Sequence, residues 1–119
     1  MRALLIDDSE DVRMTTASAL SGEGFESAVV RLGREVPRMI TTFEPDVLIL
    51  DLSQPEVNGP MIAWLLRENF PTLPIILAAP VNGQDVGLPP RTELLPRPYS
   101  IEALVEAVVR LTYSPSNDL

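Results

Sequence analysis

Val47-Leu-Ile-Leu-Asp51 and Ile75-Ile-Leu-Ala-Ala79 are the two stretches that decide the fold, because apart from the terminal aspartate neither contains a polar position. A strand with one wet face alternates polar and apolar residues, whereas an unbroken apolar run suits a strand covered on both faces, as in the middle of a parallel sheet. Outward from these two, Ala3–Ile6, Ala28–Val30 and more weakly Thr92–Leu95 repeat the theme, and helical patterns fill most of the intervals. Alternation of this kind predicts βαβ units, hence a doubly wound α/β domain built on a parallel sheet.

The spacing and capping signals predict where the helices lie. One starts near Ser9, with Ser9 as cap and Glu10 and Asp11 at the positive end of its dipole; it turns Val12, Met14, Thr16, Ala17 and Leu20 inward and ends at Gly22 to Gly24. A second, from Arg34 to Phe43, tolerates Pro37 only in its first turn. Asn58-Gly-Pro60 opens a third, with Met61, Ile62, Trp64, Leu65 and Leu66 expected in the core. The last runs from Ser100 to about Thr112, with Ile101, Leu104, Val105, Val108 and Leu111 on one face. Between Pro80 and Pro90, five prolines and glycines leave room only for a short, distorted or missing fourth helix, and Val81–Pro90 is expected to be the most mobile connection. Arg67, Arg91 and Arg110 read as solvated surface charges, and residues 114–119 as a polar, frayed tail.

Composition narrows the chemistry. At 119 residues the chain suits one domain with one core, and a net charge of −8 disfavours direct binding to nucleic acid. Cys and His are both absent, which leaves oxygen ligands and carboxylate chemistry. The apolar run behind Arg2 is too short for a signal peptide, and none approaches the roughly 20 residues that span a bilayer, so no membrane insertion and a cytoplasmic location are expected.

In an open parallel sheet, ligands bind beyond the carboxyl ends of the strands where strand order reverses. Asp7 and Asp8 end the first strand and Asp51 the third. If the strand order is 2-1-3-4-5 these strands are neighbours, and the three carboxylates converge. Any one of them alone is explained by capping a helix or turn. Three together would repel, and a hard divalent cation such as Mg2+ relieves the repulsion.

At this point the chain resembles the receiver domain of two-component response regulators, over residues 1–113. The resemblance rests on the pair Asp7-Asp8, on Asp51 after an apolar strand, on Pro55 and Gly59 in the following loop, and on Pro98 after a basic residue. It implies a flavodoxin-like five-stranded parallel sheet in the order 2-1-3-4-5. It implies that Asp51, as an exposed carboxylate beside Arg97, accepts a phosphoryl group from a histidine kinase or phosphotransfer protein, and that Mg2+ is held by Asp7, Asp8, Asp51 and the backbone carbonyl of Ser53. It also implies a cis Arg97–Pro98 bond and a downstream protein target of unknown identity.

Against the same family three positions depart. Ala79 stands where the family has Thr or Ser, Arg97 where it has Lys, and Leu94 where it has the switch aromatic. Coupling from Asp51 to the 81–90 segment should therefore be weak. Tyr99, at a position where the family often has Phe or Tyr, is expected to pack at the start of the last helix. The alternative function is a pseudo-receiver, a constitutive protein-interaction module that does not use phosphorylation. A phosphatase on a related fold ranks below both, because such enzymes want a second acid shortly after the nucleophile and Ser53 occupies that place.

Overall fold

The computed structural model describes residues 1–9, 14–80 and 87–113. Five parallel strands, β1 (Arg2–Asp7), β2 (Glu26–Arg31), β3 (Val47–Asp51), β4 (Ile75–Ala79) and β5 (Thr92–Pro96), form one sheet in the order β2-β1-β3-β4-β5. Four helices accompany them among the described residues: α1 (Met14–Gly22), α2 (Val36–Phe43), α3 (Gly59–Asn69) and α4 (Ile101–Thr112). This is the doubly wound, flavodoxin-like order expected from the sequence.

The period of two along each strand divides the apolar residues between two cores. Leu5, Ile49, Ile76 and Leu95 meet Leu20 of α1 and Leu104, Ala107 and Val108 of α4. On the other face Leu4, Ile6, Leu48, Leu50, Ile75 and Leu77 meet Val36 and Ile40 of α2 and Ala63 and Leu66 of α3. Every residue of β3 is buried, as its unbroken apolar run requires.

Local signals set the helix ends. Pro37 lies in the first turn of α2, and Glu44 closes that helix in the left-handed region at φ 54°. Asn58 Oδ1 accepts from the Met61 amide at 3.1 Å and Ser100 Oγ from that of Ala103 at 3.1 Å, so α3 and α4 begin where expected and each has a side-chain cap. The start of α1 and the side chains of Val12 and Met14 lie outside the described residues, but Ala17 and Leu20 are buried as expected. Between β4 and β5 no helix occurs at Pro80 or at residues 87–91; residues 81–86, where most of the expected mobile connection falls, and the tail 114–119 lie outside the described set.

Two expectations about α3 are corrected. Met61, Trp64 and Leu65 are about half exposed, while Ala63 and Leu66 face the core. The helical phase is fixed by Gly59, where a Cβ would stand 2.7 Å from Leu77 Cδ1, so the backbone itself presses on β4 and turns the larger side chains outward. The indole of Trp64 instead donates to the Gly87 carbonyl at 3.0 Å.

Arg67, read as a solvated charge, is buried. Its Nη1 donates to the carbonyls of Phe70 (2.8 Å) and Leu73 (2.6 Å), and its Nη2 to the Arg91 carbonyl (3.0 Å) and Thr92 Oγ1 (3.2 Å). Five donors in a rigid fork let one guanidinium bind the end of α3, the turn into β4 and the entry to β5. Burial, then repulsion from Arg91, lowers its pKa from the ordinary arginine value.

The strands at either end of the sheet are β2 and β5. Along β5, Glu93 is held by a two-pronged pair from Arg110 (2.9 and 2.6 Å), and Pro96 ends the strand. No helix among the described residues is long and apolar enough to cross a membrane.

Candidate functional site

Parallel pairing brings the carboxyl ends of β1 and β3 level, with Asp7 directly opposite Asp51. Both are buried, at 0% and 1% exposure. Asp7 Oδ1 accepts the Ser9 amide at 2.8 Å, which turns the chain as it leaves β1.

Asp8 is drawn elsewhere. Its carboxylate accepts the Ser53 amide at 3.1 Å to each oxygen, the Ser53 hydroxyl at 3.2 Å and the Gln54 amide at 3.0 Å. The Gln54 side chain donates back to the Asp8 carbonyl at 3.0 Å. Asp8 thus staples the end of β1 to the loop between β3 and α3, a use of the carboxylate that residue spacing does not reveal.

Asp51 is engaged at both oxygens. Arg97 Nη1 forms an ion pair with Oδ1, and the Tyr99 hydroxyl donates to Oδ2 at 2.9 Å. The Arg97 amide in turn donates to the Ala79 carbonyl at 3.0 Å, which fixes the exit from β5 beside the end of β4. The Arg97–Pro98 peptide is cis, as expected. The tyrosine ring packs against the α1–α4 core, as expected of it at the start of α4. Burial, then the charge of Asp51 and the hydrogen bond to it, pushes its pKa from 10.0 up to about 12.

Two sequence expectations change here. Asp51 was expected as an exposed carboxylate, but the Arg97 and Tyr99 side chains occupy its oxygens and the residue is almost wholly covered. The three acids were expected to converge, yet among the described residues no three acidic side chains gather closely enough to share a metal ion. Asp7 and Asp51 stand side by side, while the amides of Ser53 and Gln54 claim Asp8. The donor set nonetheless fits Mg2+ in kind, since it is all oxygen, with two buried carboxylates in register and Ser53 in the adjoining loop. Ala79 lies at the end of β4 and brings no hydroxyl to the site; Leu94 is half-buried against the α2–α3 core.

The residue that sequence reasoning missed is Tyr99, placed by packing but not in the site. Its only signal was proximity, two positions beyond Arg97 on the same turn.

Residues 3–86 match the family model described as the response regulator receiver domain. The chain is 31% identical over 99% of its length to the response regulator MprA of Mycobacterium avium, covering 54% of that protein. It is 29% identical over 91% of its length to the DNA-binding transcriptional regulator NtrC of Klebsiella pneumoniae, covering 24% of that protein. The chain thus spans from about a quarter to about half the length of these curated relatives. Among solved structures, the receiver domain of a signal transduction histidine kinase from Syntrophus aciditrophicus superposes at a TM-score of 0.70 with 25% identity, covering 93% of this chain and 89% of that one. The chemotaxis response regulator CheY4 of Vibrio cholerae shares the fold at a TM-score of 0.71 with 24% identity, over 92% of this chain and 97% of that one.

Proposed function

The chain belongs to the response-regulator receiver family, a family of signalling modules rather than enzymes, and on that premise we propose that residues 1–113 form a receiver that accepts one phosphoryl group on Asp51. The observation that carries this reading is the position of Asp51 at the carboxyl end of β3, opposite Asp7 and paired with Arg97. A carboxylate oxygen of Asp51 attacks the phosphorus of a phosphohistidine on an upstream kinase or phosphotransfer protein. The O–P bond forms as the P–N bond breaks, and the electron pair stays on the imidazole nitrogen. Arg97 offsets the charge that collects around the phosphorus.

Mg2+ would be held by Asp7, Asp8, Asp51 and the Ser53 carbonyl, and would supply further charge neutralisation. The Asp8 carboxylate must then give up amide contacts that it now makes with Ser53 and Gln54. Ala79, Arg97 and Leu94, in place of the family's hydroxyl, lysine and aromatic, make for weak coupling between Asp51 and the 81–90 segment. Output passes through protein contacts with a downstream target in the cytoplasm, without direct binding of nucleic acid by this domain.

A second reading, the pseudo-receiver, is favoured by one observation: both Asp51 oxygens already have partners and the residue is 1% exposed. Incubation with acetyl phosphate and Mg2+ followed by intact mass separates the two. A gain of one phosphoryl group in the wild type that is absent from Asp51→Asn supports the receiver. No gain under conditions that modify an ordinary receiver supports the constitutive module.

A further inference from the structure

Among the described residues, Arg97 and Tyr99 are side-chain donors of different kinds to Asp51, and the difference has a chemical consequence. Arg97 on Oδ1 is a cation on a long stem, 22% exposed. Tyr99 on Oδ2 is a neutral hydroxyl at the end of a ring lodged against the α1–α4 core. Position 79, at the end of β4, offers no hydroxyl at all.

We infer that the Tyr99 hydroxyl is a brake on phosphorylation: by donating to Oδ2 it stabilises the free Asp51 carboxylate relative to the acyl phosphate. This rests on Asp51 being the phosphoacceptor. With acetyl phosphate as donor, one Asp51 oxygen bonds to phosphorus, the P–O bond to acetate breaks, and the electron pair departs with acetate. Asp51 thereby loses its own negative charge, one oxygen becoming a bridge and the other a carbonyl.

Hydrogen bonds to an ionised acceptor are roughly twice as strong as those between neutral groups, so each donor on Asp51 loses part of its bond in this step. Arg97 regains what it loses, because its guanidinium can follow the charge to the new phosphoryl oxygens. The Tyr99 ring is held by packing and cannot follow. Its bond favours the free carboxylate, slowing the forward transfer and easing the loss of phosphate, in which the same carboxylate leaves.

The experiment compares wild type, Tyr99→Phe and Asp51→Asn with acetyl phosphate and Mg2+, following phosphorylated mass against time and then its decay after the donor is removed. The phenylalanine keeps the ring and its packing and deletes one hydroxyl. Faster gain and slower decay are expected in Tyr99→Phe, together moving the balance toward the phosphorylated form by roughly tenfold, the weight of one hydrogen bond to a charged group. A purely structural role for the hydroxyl would lower modification instead. Modification of the wild type at the same or a greater extent than Tyr99→Phe overturns the brake while leaving Asp51 as phosphoacceptor. Modification of Tyr99→Phe alone supports the brake in its strongest form. Modification of neither protein, or equal modification of Asp51→Asn, overturns the phosphoacceptor reading and the brake with it.

Discussion

Arg67→Met deletes a guanidinium and keeps an unbranched stem of similar reach, so it isolates the four hydrogen bonds to Phe70, Leu73, Arg91 and Thr92. A bond from a charged donor contributes about 1.5–3 kcal/mol net, but the four made by one guanidinium do not add, because they share a single buried cation whose removal from water costs several kcal/mol. The expected loss is about 3 kcal/mol. A domain of this size has roughly 6–15 kcal/mol in total, so the change is a large share of it. In urea, with a slope of about 2 kcal/mol per molar, the unfolding midpoint should fall by about 1.5 M. Hydrogen exchange should localise the damage: the Ile75 amide, bonded to the Arg91 carbonyl at 3.0 Å, loses protection first because Arg67 holds that same carbonyl. Arg67→Lys should fall between the two, since an ammonium cannot fork toward four acceptors. A midpoint shift below about 0.5 M, with Ile75 still protected, would show that the carbonyl cage contributes little and that Arg67 is buried for packing alone.

Gly59→Ala sets helix propensity against space: alanine gains about 1 kcal/mol in the helix, but its methyl would stand 2.7 Å from Leu77 Cδ1 in a closed core and cost about 2 kcal/mol. A thermal midpoint lower by about 4 °C is expected, and a rise would mean that Leu77 yields freely. Because the fold raises the Tyr99 pKa from 10.0 to about 12, it favours the neutral phenol; that contribution is complete below pH 10 and is lost as pH climbs toward 12. Absorbance of the tyrosinate band should show one late-titrating phenol that Tyr99→Phe removes, whereas a wild type and variant that differ only by a phenol titrating near 10 would contradict the burial and the contact with Asp51.

The two central strands were the most legible because each apolar run is short, uninterrupted and flanked by proline, Pro45 ahead of β3 and Pro74 and Pro80 around β4, and burial on both faces leaves no alternative pattern for Val47–Leu50. The starts of α3 at Asn58 and of α4 at Ser100 were legible because local signals set them, and in each a side chain bonds to an amide three residues away. What escaped was decided by contacts distant in sequence. Six apolar residues fill positions 61–66, so periodicity alone could not say which face turns inward; the close approach of Gly59 to Leu77 chose Ala63 and Leu66. Arg67 looked like any surface arginine, since carbonyls rather than carboxylates surround it and backbone acceptors leave no trace in composition. At the site, the positions of Asp7, Asp8 and Asp51 at the strand ends were readable, but their partners were not. Asp8 turns to Ser53 and Gln54, 45 and 46 residues on, and Tyr99 reaches Asp51 across 48.

An open sheet has two outer strands whose free backbone groups invite another chain to join, the usual route to strand exchange and aggregation. Here both borders are guarded. Pro96 closes β5 without an amide hydrogen to offer, and the Glu93–Arg110 pair sets charge alongside the strand. At the opposite border β2 begins with Glu26, itself paired with Arg2 at 3.2 Å, and ends with Arg31. A partner that would lengthen this sheet meets charge at either margin and proline at that of β5, so both edges are poor templates for a further strand.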